Sequence, residues 1–361
     1  MSRIYFVHLF DDFSGSPKVL SMVVNLFNNS KVFLGKSSEG FLAKTVSEKY
    51  SFFYRRGSNK LQILLFYVLS QIDLFFKISY HLLKEDDRKN CTLVVNTLLP
   101  FGASLSAKLF KVKVIYYIHE TSITPSLLKR FLLFVVRSTA NKTIYVSNYL
   151  KNDLNLGLHE ESVVHNAISN QLGLIYLDIE LLKKKWESKN IFMACSLKDY
   201  KGIPEFICLA KRLPNYFFEL AINDTLYNTE QYFKNISLPN NVNIICRPNN
   251  IEEHYKNAFF ALNLSNKDLW IETFGLTIIE AMSAYTPVIV PLVGGPVEVI
   301  RSSIDGFCVD SKNTDEIVSI LEVFGSDFDR WLKVAISAKD RSDQFSIDKF
   351  KVKILKEINC A

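Results

Sequence analysis

Short runs of continuous apolar residues recur along the chain, each ending in a polar or glycine-bearing loop and most followed by a helical pattern. In the first half they lie at residues 4–10, 31–34, 92–96, 112–119 and 142–147. In the second half they lie at 191–195, 217–222, 242–246, 259–264 and 288–290. They lack the in–out alternation of a half-solvated antiparallel strand. They therefore read as strands covered on both faces, as in a parallel sheet between helices. Strand alternating with helix throughout defines an α/β class. A chain of 361 residues suits two domains better than one. The pattern breaks near residues 163–167, and a polar, charged stretch at 181–190 precedes the next strand. The expected organisation is a first domain over 1–170, a second over 171–345 and a terminal helix over 346–361, with Ile347, Phe350, Ile354 and Leu355 at helical spacing.

Charge is uneven. Residues 1–175 hold 21 Lys/Arg and 12 Asp/Glu, hence +9, while residues 176–361 hold 22 and 25, hence −3. The first half therefore expects an anionic partner. Six cysteines form no CxxC pair and read as reduced thiols. The opening residues have no secretory pattern, since Asp11 and Asp12 interrupt the first apolar run, and a cytoplasmic location is expected. The longest apolar window, residues 61–83, reads as one helix, buried or interfacial. Gln62, Gln71, Asp73, Lys77 and His81 argue against its spanning a bilayer. Residues 127–137 mix Lys129, Arg130 and Arg137 with a wide apolar face. They fit a peripheral helix on anionic lipid or, equally, a domain helix with snorkelling ends. Basic residues are dispersed and no nucleic-acid motif occurs. No Asp-x-Asp signature suggests a metal; Asp11-Asp12 and Glu85-Asp86-Asp87 read as loop carboxylates.

Residues 258–310 are the most informative. They read strand, polar loop, helix, strand, Gly-Gly-Pro loop, helix, turn, strand. The first helix starts around Phe274-Gly275-Leu276-Thr277, where free amides and the helix dipole make an anion site. Glu280 lies one turn further in, among Ile278, Ile279, Ala281 and Met282. A carboxylate in such company needs hydrogen bonds, from ligand hydroxyls or from water on an exposed helix face. Gly294-Gly295-Pro296 fits either a plain turn or the rim of a ligand cleft.

Glu272 and Glu280, in the frame Glu-Thr-Phe-Gly-Leu-x-x-x-Glu-Ala-Met, followed by Pro287-Val288 and Gly-Gly-Pro-x-Glu-Val-Ile, closely resemble the donor motif of retaining GT-B glycosyltransferases of family 4, the glycosyl transferases group 1. The likeness is strong over residues 190–310. It implies two Rossmann-like domains facing across a cleft, with the C-terminal helix packing back on the first. It also implies a nucleoside-diphosphate sugar, UDP- or GDP-linked, bound mainly by the second domain and transferred to an acceptor held by the first. By that likeness Glu272 lies by the donor sugar, Glu280 grips ribose hydroxyls, and the amides of Phe274, Gly275, Leu276 and Thr277 hold the diphosphate. Lys201, in Ser196-Leu197-Lys198-Asp199-Tyr200-Lys201-Gly202, matches a phosphate-binding lysine. Ser196 stands where the family usually has Arg, which departs from the pattern by one positive charge. His119 resembles a histidine near the reacting sugar, and Gly15, in Ser14-Gly15-Ser16, resembles a glycine loop toward the phosphates.

Lys201 and the helix start at Gly275 would supply the positive charge beside the leaving diphosphate, so metal-independent transfer with no cofactor beyond the donor is expected, to a saccharide acceptor or, if residues 127–137 touch lipid, a lipid-linked saccharide. Such a reaction belongs to bacterial surface polysaccharide assembly, O-antigen, lipopolysaccharide or capsule, at the inner face of the cytoplasmic membrane. The rival readings are a sugar-nucleotide epimerase of the same fold and a non-catalytic nucleotide-sugar binder.

Overall fold

A computed structural model describes residues 3–36, 40–45, 48–168 and 176–359. The expected join at 170/171 and Cys360 lie outside the described residues. The chain divides into two compact units, Met1–His165 with Lys351–Ala361, and Asn166–Phe350.

The first unit holds strands β1 (Arg3–His8), β2 (Ser30–Gly35), β3 (Lys49–Phe52), β4 (Cys91–Asn96), β5 (Lys113–Ile118), β6 (Lys142–Tyr145) and β7 (Glu161–Val163). Between them run α1 (Gly15–Val24), α2 (Phe41–Thr45), α3 (Lys60–Leu83), α4 (Phe101–Leu109), α5 (Ser126–Thr139) and α6 (Asn148–Leu154). The sheet order is β3-β2-β1-β4-β5-β6-β7, all parallel. Its central strands are buried along their length, as their unbroken apolar runs require.

The second unit repeats the plan. Strands β8 (Asn190–Cys195), β9 (Phe217–Ile222), β10 (Val242–Cys246), β11 (Phe260–Leu262), β12 (Val288–Val290) and β13 (Gly306–Cys308) form a parallel sheet ordered β10-β9-β8-β11-β12-β13. Its helices are α7 (Ile179–Glu187), α8 (Ile203–Arg212), α9 (Leu226–Phe233), α10 (Ile251–Asn257), α11 (Leu276–Ser283), α12 (Pro296–Val299), α13 (Thr314–Ser326) and α14 (Phe328–Ser342). On α8, Ile203, Phe206, Ile207 and Ala210 face the core at i, i+3, i+4 and i+7. Trp331 of α14 is fully buried and donates its indole N–H to the Phe259 carbonyl at 2.9 Å. The last helix, α15 (Ile347–Asn359), ends in the first unit, where Glu357 pairs with Lys142 at 2.6 Å.

Strand order reverses between β1 and β4 in one sheet and between β8 and β11 in the other. In open parallel sheets such a switch point opens a crevice beyond the carboxyl ends of the strands. Most candidate residues below follow a strand's carboxyl end or start the helix after it, and Glu280 lies one turn further along such a helix.

Three readings of the sequence are corrected. The polar stretch 181–190 is mostly helix, and Lys185 within it is buried. Its ammonium donates to the carbonyls of Tyr255 (3.2 Å) and Ala284 (2.7 Å) and to the Thr286 hydroxyl, tying α7 to the ends of α10 and α11. Gly15 lies in the first turn of α1 and is exposed, rather than in a loop. Residues 61–83 are long and apolar enough to span a bilayer by length and composition alone, despite their polar members. Those members have partners inside the domain instead: Gln71 accepts from the Gly102 amide at 3.0 Å and Asp73 from the Phe53 amide at 2.5 Å.

Candidate functional site

The second unit gathers its polar groups around the β8–β11 switch point. Ser196 follows β8, and Lys201 stands at the end of the next loop. Gly202, with φ of 86°, starts α8, and a β-carbon there would lie 2.3 Å from the Leu264 side chain. Glycine therefore lets the Lys201 loop press against the loop after β11, where the Asn266 amide donates to the Tyr200 carbonyl at 2.8 Å. Lys201 Nζ reaches Glu272 Oε2 at 2.9 Å and sits 5.4 Å from the Trp270 ring centroid, and Trp270 stacks on Tyr200. Burial pushes the Glu272 carboxyl up, but Lys201, the Asn263 side chain and the Thr273 amide hold it below the usual carboxylate range. The pair is in contact and mostly shielded.

Glu272 is two residues before Phe274. The Phe274 ring is buried and packs edge-on against Phe345, so this side chain is a core anchor. Gly275 takes φ of 93° and forms the N-terminal end of α11; no side chain caps that helix. Leu276 and Thr277, partly buried, make its first turn. The amides there thus keep their positive end for an anion beside the Lys201–Glu272 pair.

Gly294 and Gly295 close the other side. A β-carbon at Gly294 would lie 2.3 Å from the Glu272 carbonyl, and one at Gly295 would lie 2.2 Å from the Thr273 carbonyl; the Gly295 amide donates to Glu272 O at 2.8 Å. These glycines let the Gly-Gly-Pro loop lie directly on the 272–274 backbone and fix its shape. Glu280 is buried on α11 and is not on a solvated face. The Tyr255 hydroxyl donates to its Oε2 at 3.2 Å. Tyr255, Asn263, Tyr200 and Trp270 belong to the site and were not singled out from sequence. Aromatic and amide residues scattered over α10 and two loops show no spacing that would mark them.

At the ends of β9 and β10, Asn223, Asp224 and Arg247 lie near Ser196. The Asn223 amide donates to the Cys195 carbonyl at 2.9 Å, and the Arg247 amide donates to the Ile222 carbonyl at 2.9 Å. Asp224 is held low, against its burial, by Asn228, the Thr225 amide and the charges of Arg247 and Lys198.

The first unit places His119 just after β5. It is buried and its ring lies 4.3 Å from that of Tyr117. Burial, with the nearby His8, pushes the His119 imidazole down to about 3, so it is neutral at physiological pH. Glu120 follows His119 directly in the chain. It accepts from the Leu98 amide at 3.0 Å, and burial pushes its carboxyl up to about 7. Asp11 is fully buried and accepts from the amides of Gly40, Leu42 and Ala43, which fixes the start of α2. Among the described residues no three His, Cys, Asp or Glu side chains gather as metal ligands. Cys91, Cys195, Cys208, Cys246 and Cys308 are free thiols.

Two parallel sheets, each with its strand order reversed at one point, define a class. The HepE protein of Anabaena, solved with UDP-glucose, superposes with a TM-score of 0.82 at 17% identity, covering 100% of both chains. A glycosyltransferase of Rickettsia africae gives 0.72 at 18% identity over 99% of this chain and 98% of its own. The chain therefore has the GT-B fold. Residues 178–328 match the family described as glycosyl transferases group 1. Sucrose synthase of Denitrovibrio acetiphilus is 38% identical over 77 residues, 20% of this chain and 10% of that protein. The chain thus matches about a tenth of the length of such curated relatives.

Proposed function

We propose that this protein transfers a sugar from a nucleoside-diphosphate sugar to a saccharide acceptor. The reading rests on one observation: an uncapped helix start at Gly275, set beside a half-buried lysine–glutamate pair. A departing nucleoside diphosphate gains negative charge, and fixed positive groups lower that barrier. Lys201 and the first amides of α11 supply them without a metal. Glu272 holds Lys201 in place and faces the donor sugar; Glu280, fixed by Tyr255, takes ribose hydroxyls. HepE was solved with UDP and with UDP-glucose, which favours a uridine donor here.

In this proposal transfer retains the anomeric configuration, with the leaving phosphate helping to take the acceptor's proton, so no enzymic nucleophile is required. The acceptor is a lipid-linked saccharide of bacterial surface polysaccharide assembly, met at the inner face of the cytoplasmic membrane. The likeness to WaaB, a lipopolysaccharide outer core galactosyltransferase, supports this class of acceptor.

The test is a thermal-shift and donor-turnover screen of UDP- and GDP-sugars in EDTA, with product anomers read by NMR. We expect one sugar nucleotide to raise the melting temperature and to turn over in chelator. No shift with any of them sinks the donor site, strict metal dependence sinks the metal-free step, and an inverted product sinks the retaining route.

A further inference from the structure

Helix α3 is apolar on two opposite sides. One stripe, Tyr67, Gln71, Leu74, Ile78 and Leu82, is buried in the first unit. The opposite stripe, Leu61, Leu65, Leu69, Ile72 and Phe76, faces out at steps of three or four residues, with Leu61 77% and Phe76 63% exposed. At 1.5 Å per residue the 24 residues make a ridge about 36 Å long. It does not stand alone. A β-carbon at Gly102 would lie 2.2 Å from the Gln71 carbonyl, so α4 is pressed against α3, and Phe101 of α4 meets Phe131 of α5 edge-on at 5.1 Å. Exposed Leu109 on α4 and Phe134 on α5 extend the apolar surface. A single stray leucine on a surface is ordinary, whereas a continuous apolar face on three packed helices needs a partner.

The charges select that partner. These three helices hold six Lys/Arg and one acid, Asp73. Asp73 is paired with Lys77 at 3.2 Å, which leaves Lys60, Lys108 and Arg130 exposed with no acid on the layer to offset them. An apolar face edged by cations matches the two terms that hold a helix in a bilayer interface: acyl-chain burial and attraction to anionic headgroups. We propose that the outer face of α3, α4 and α5 docks on an anionic lipid surface, with the α3 ridge sunk into the headgroup boundary. The surface proposed is broader than the 127–137 segment singled out from sequence, and its centre is α3. It deepens the membrane-side part of the function proposed above. Lipid binding is measured without donor or acceptor, so each reading can fail alone.

The test uses the full chain and phosphatidylcholine vesicles with and without about one third phosphatidylglycerol. Wild type should co-sediment with the anionic vesicles at low salt and lose most of that binding at high salt. Leu65→Ser/Leu69→Ser/Ile72→Ser should weaken binding by about tenfold or more, with an unchanged melting temperature since all three are exposed. Lys108→Glu/Arg130→Glu, which touches no apolar contact, should weaken it by about tenfold on anionic vesicles only. Absence of wild-type binding to anionic vesicles at low salt overturns the proposal. So does wild-type binding by both variants. A wild-type dimer that the serine variant splits, with no vesicle binding, assigns the face to a second copy instead.

Discussion

The two sheets end in opposite ways. Both reverse strand order, and both set polar side chains just past the strands at that point. In the second unit Lys201 and Glu272 lie 2.9 Å apart, and the lysine helps hold the Glu272 carboxyl in its charged form against its burial. In the first unit burial is the largest cause at His8, His119 and Glu120, outweighing the Asp11 and Asp12 charges that favour a charged His8, and it drives each toward its neutral form. The fold alone therefore does not decide charge at a switch point. A partner within hydrogen-bonding reach decides it. The second unit suits a ligand with phosphates, and the first presents neutral donors and acceptors to whatever reaches it.

The largest effect tests the charged end. Lys201→Ala should lower donor turnover by roughly 10²–10³-fold, the scale of one lost preorganised donor. It should also cost about 3 kcal/mol of stability, because Glu272 keeps its burial and loses its counterion. Adding Glu272→Gln should recover most of that stability and none of the turnover. Urea melts and a turnover assay separate the two, and wild-type turnover in the single variant removes Lys201 from the mechanism.

Next comes the backbone that holds the pair. Gly202→Ala combines a left-handed φ with a β-carbon 2.3 Å from Leu264, so a loss of roughly 2–4 kcal/mol is expected. Gly157 in the first unit also has positive φ, at 66°, but faces open space. Gly157→Ala should cost only about 1–2 kcal/mol. Equal losses at the two sites would show that strain, not the close approach of two loops, sets the requirement at Gly202. Glu280→Ala should then weaken donor affinity by roughly 1.5–3 kcal/mol by calorimetry, with the fold intact. An unchanged affinity would return Glu280 to a purely structural role beside Tyr255.

Most of the strands were legible because buried parallel strands must be apolar throughout. The edge strand β3 was not: Lys49-Tyr50-Ser51-Phe52 is short, and only Phe52 is buried, so no apolar run marks it. Around the site the motif gave the positions of Glu272, Gly275 and Glu280. It left open whether Gly294-Gly295 turned the chain or bounded a cleft. Their contact with the 272–274 backbone is long-range packing, invisible to local pattern. Lys185 was hidden in Lys183-Lys184-Lys185, where only the fold distinguishes the one buried lysine from its exposed neighbours. Burial was also what the sequence lacked at His119, where it converts a plausible titrating group into a neutral one.

The smallest expected effect tests that neutral end. Folded Glu120, with its carboxyl raised to about 7, binds a proton more tightly than the unfolded chain does. Its contribution to stability is thus present below the unfolded value near 4.5 and is lost as pH rises toward 7. His119 and His8 run the other way. Their folded values lie below the unfolded 6.5, so stability grows as pH rises toward 6.5. In the shared window the wild type hides one slope under the other. Glu120→Gln keeps an acceptor for the Leu98 amide and removes only the falling component. Relative to wild type, the variant should gain roughly 2 kcal/mol between about pH 5 and 6.5. Urea melts of both proteins across that range measure it. Parallel curves would mean that Glu120 is ionised when folded, and the contrast between the two sheet ends would lose its basis.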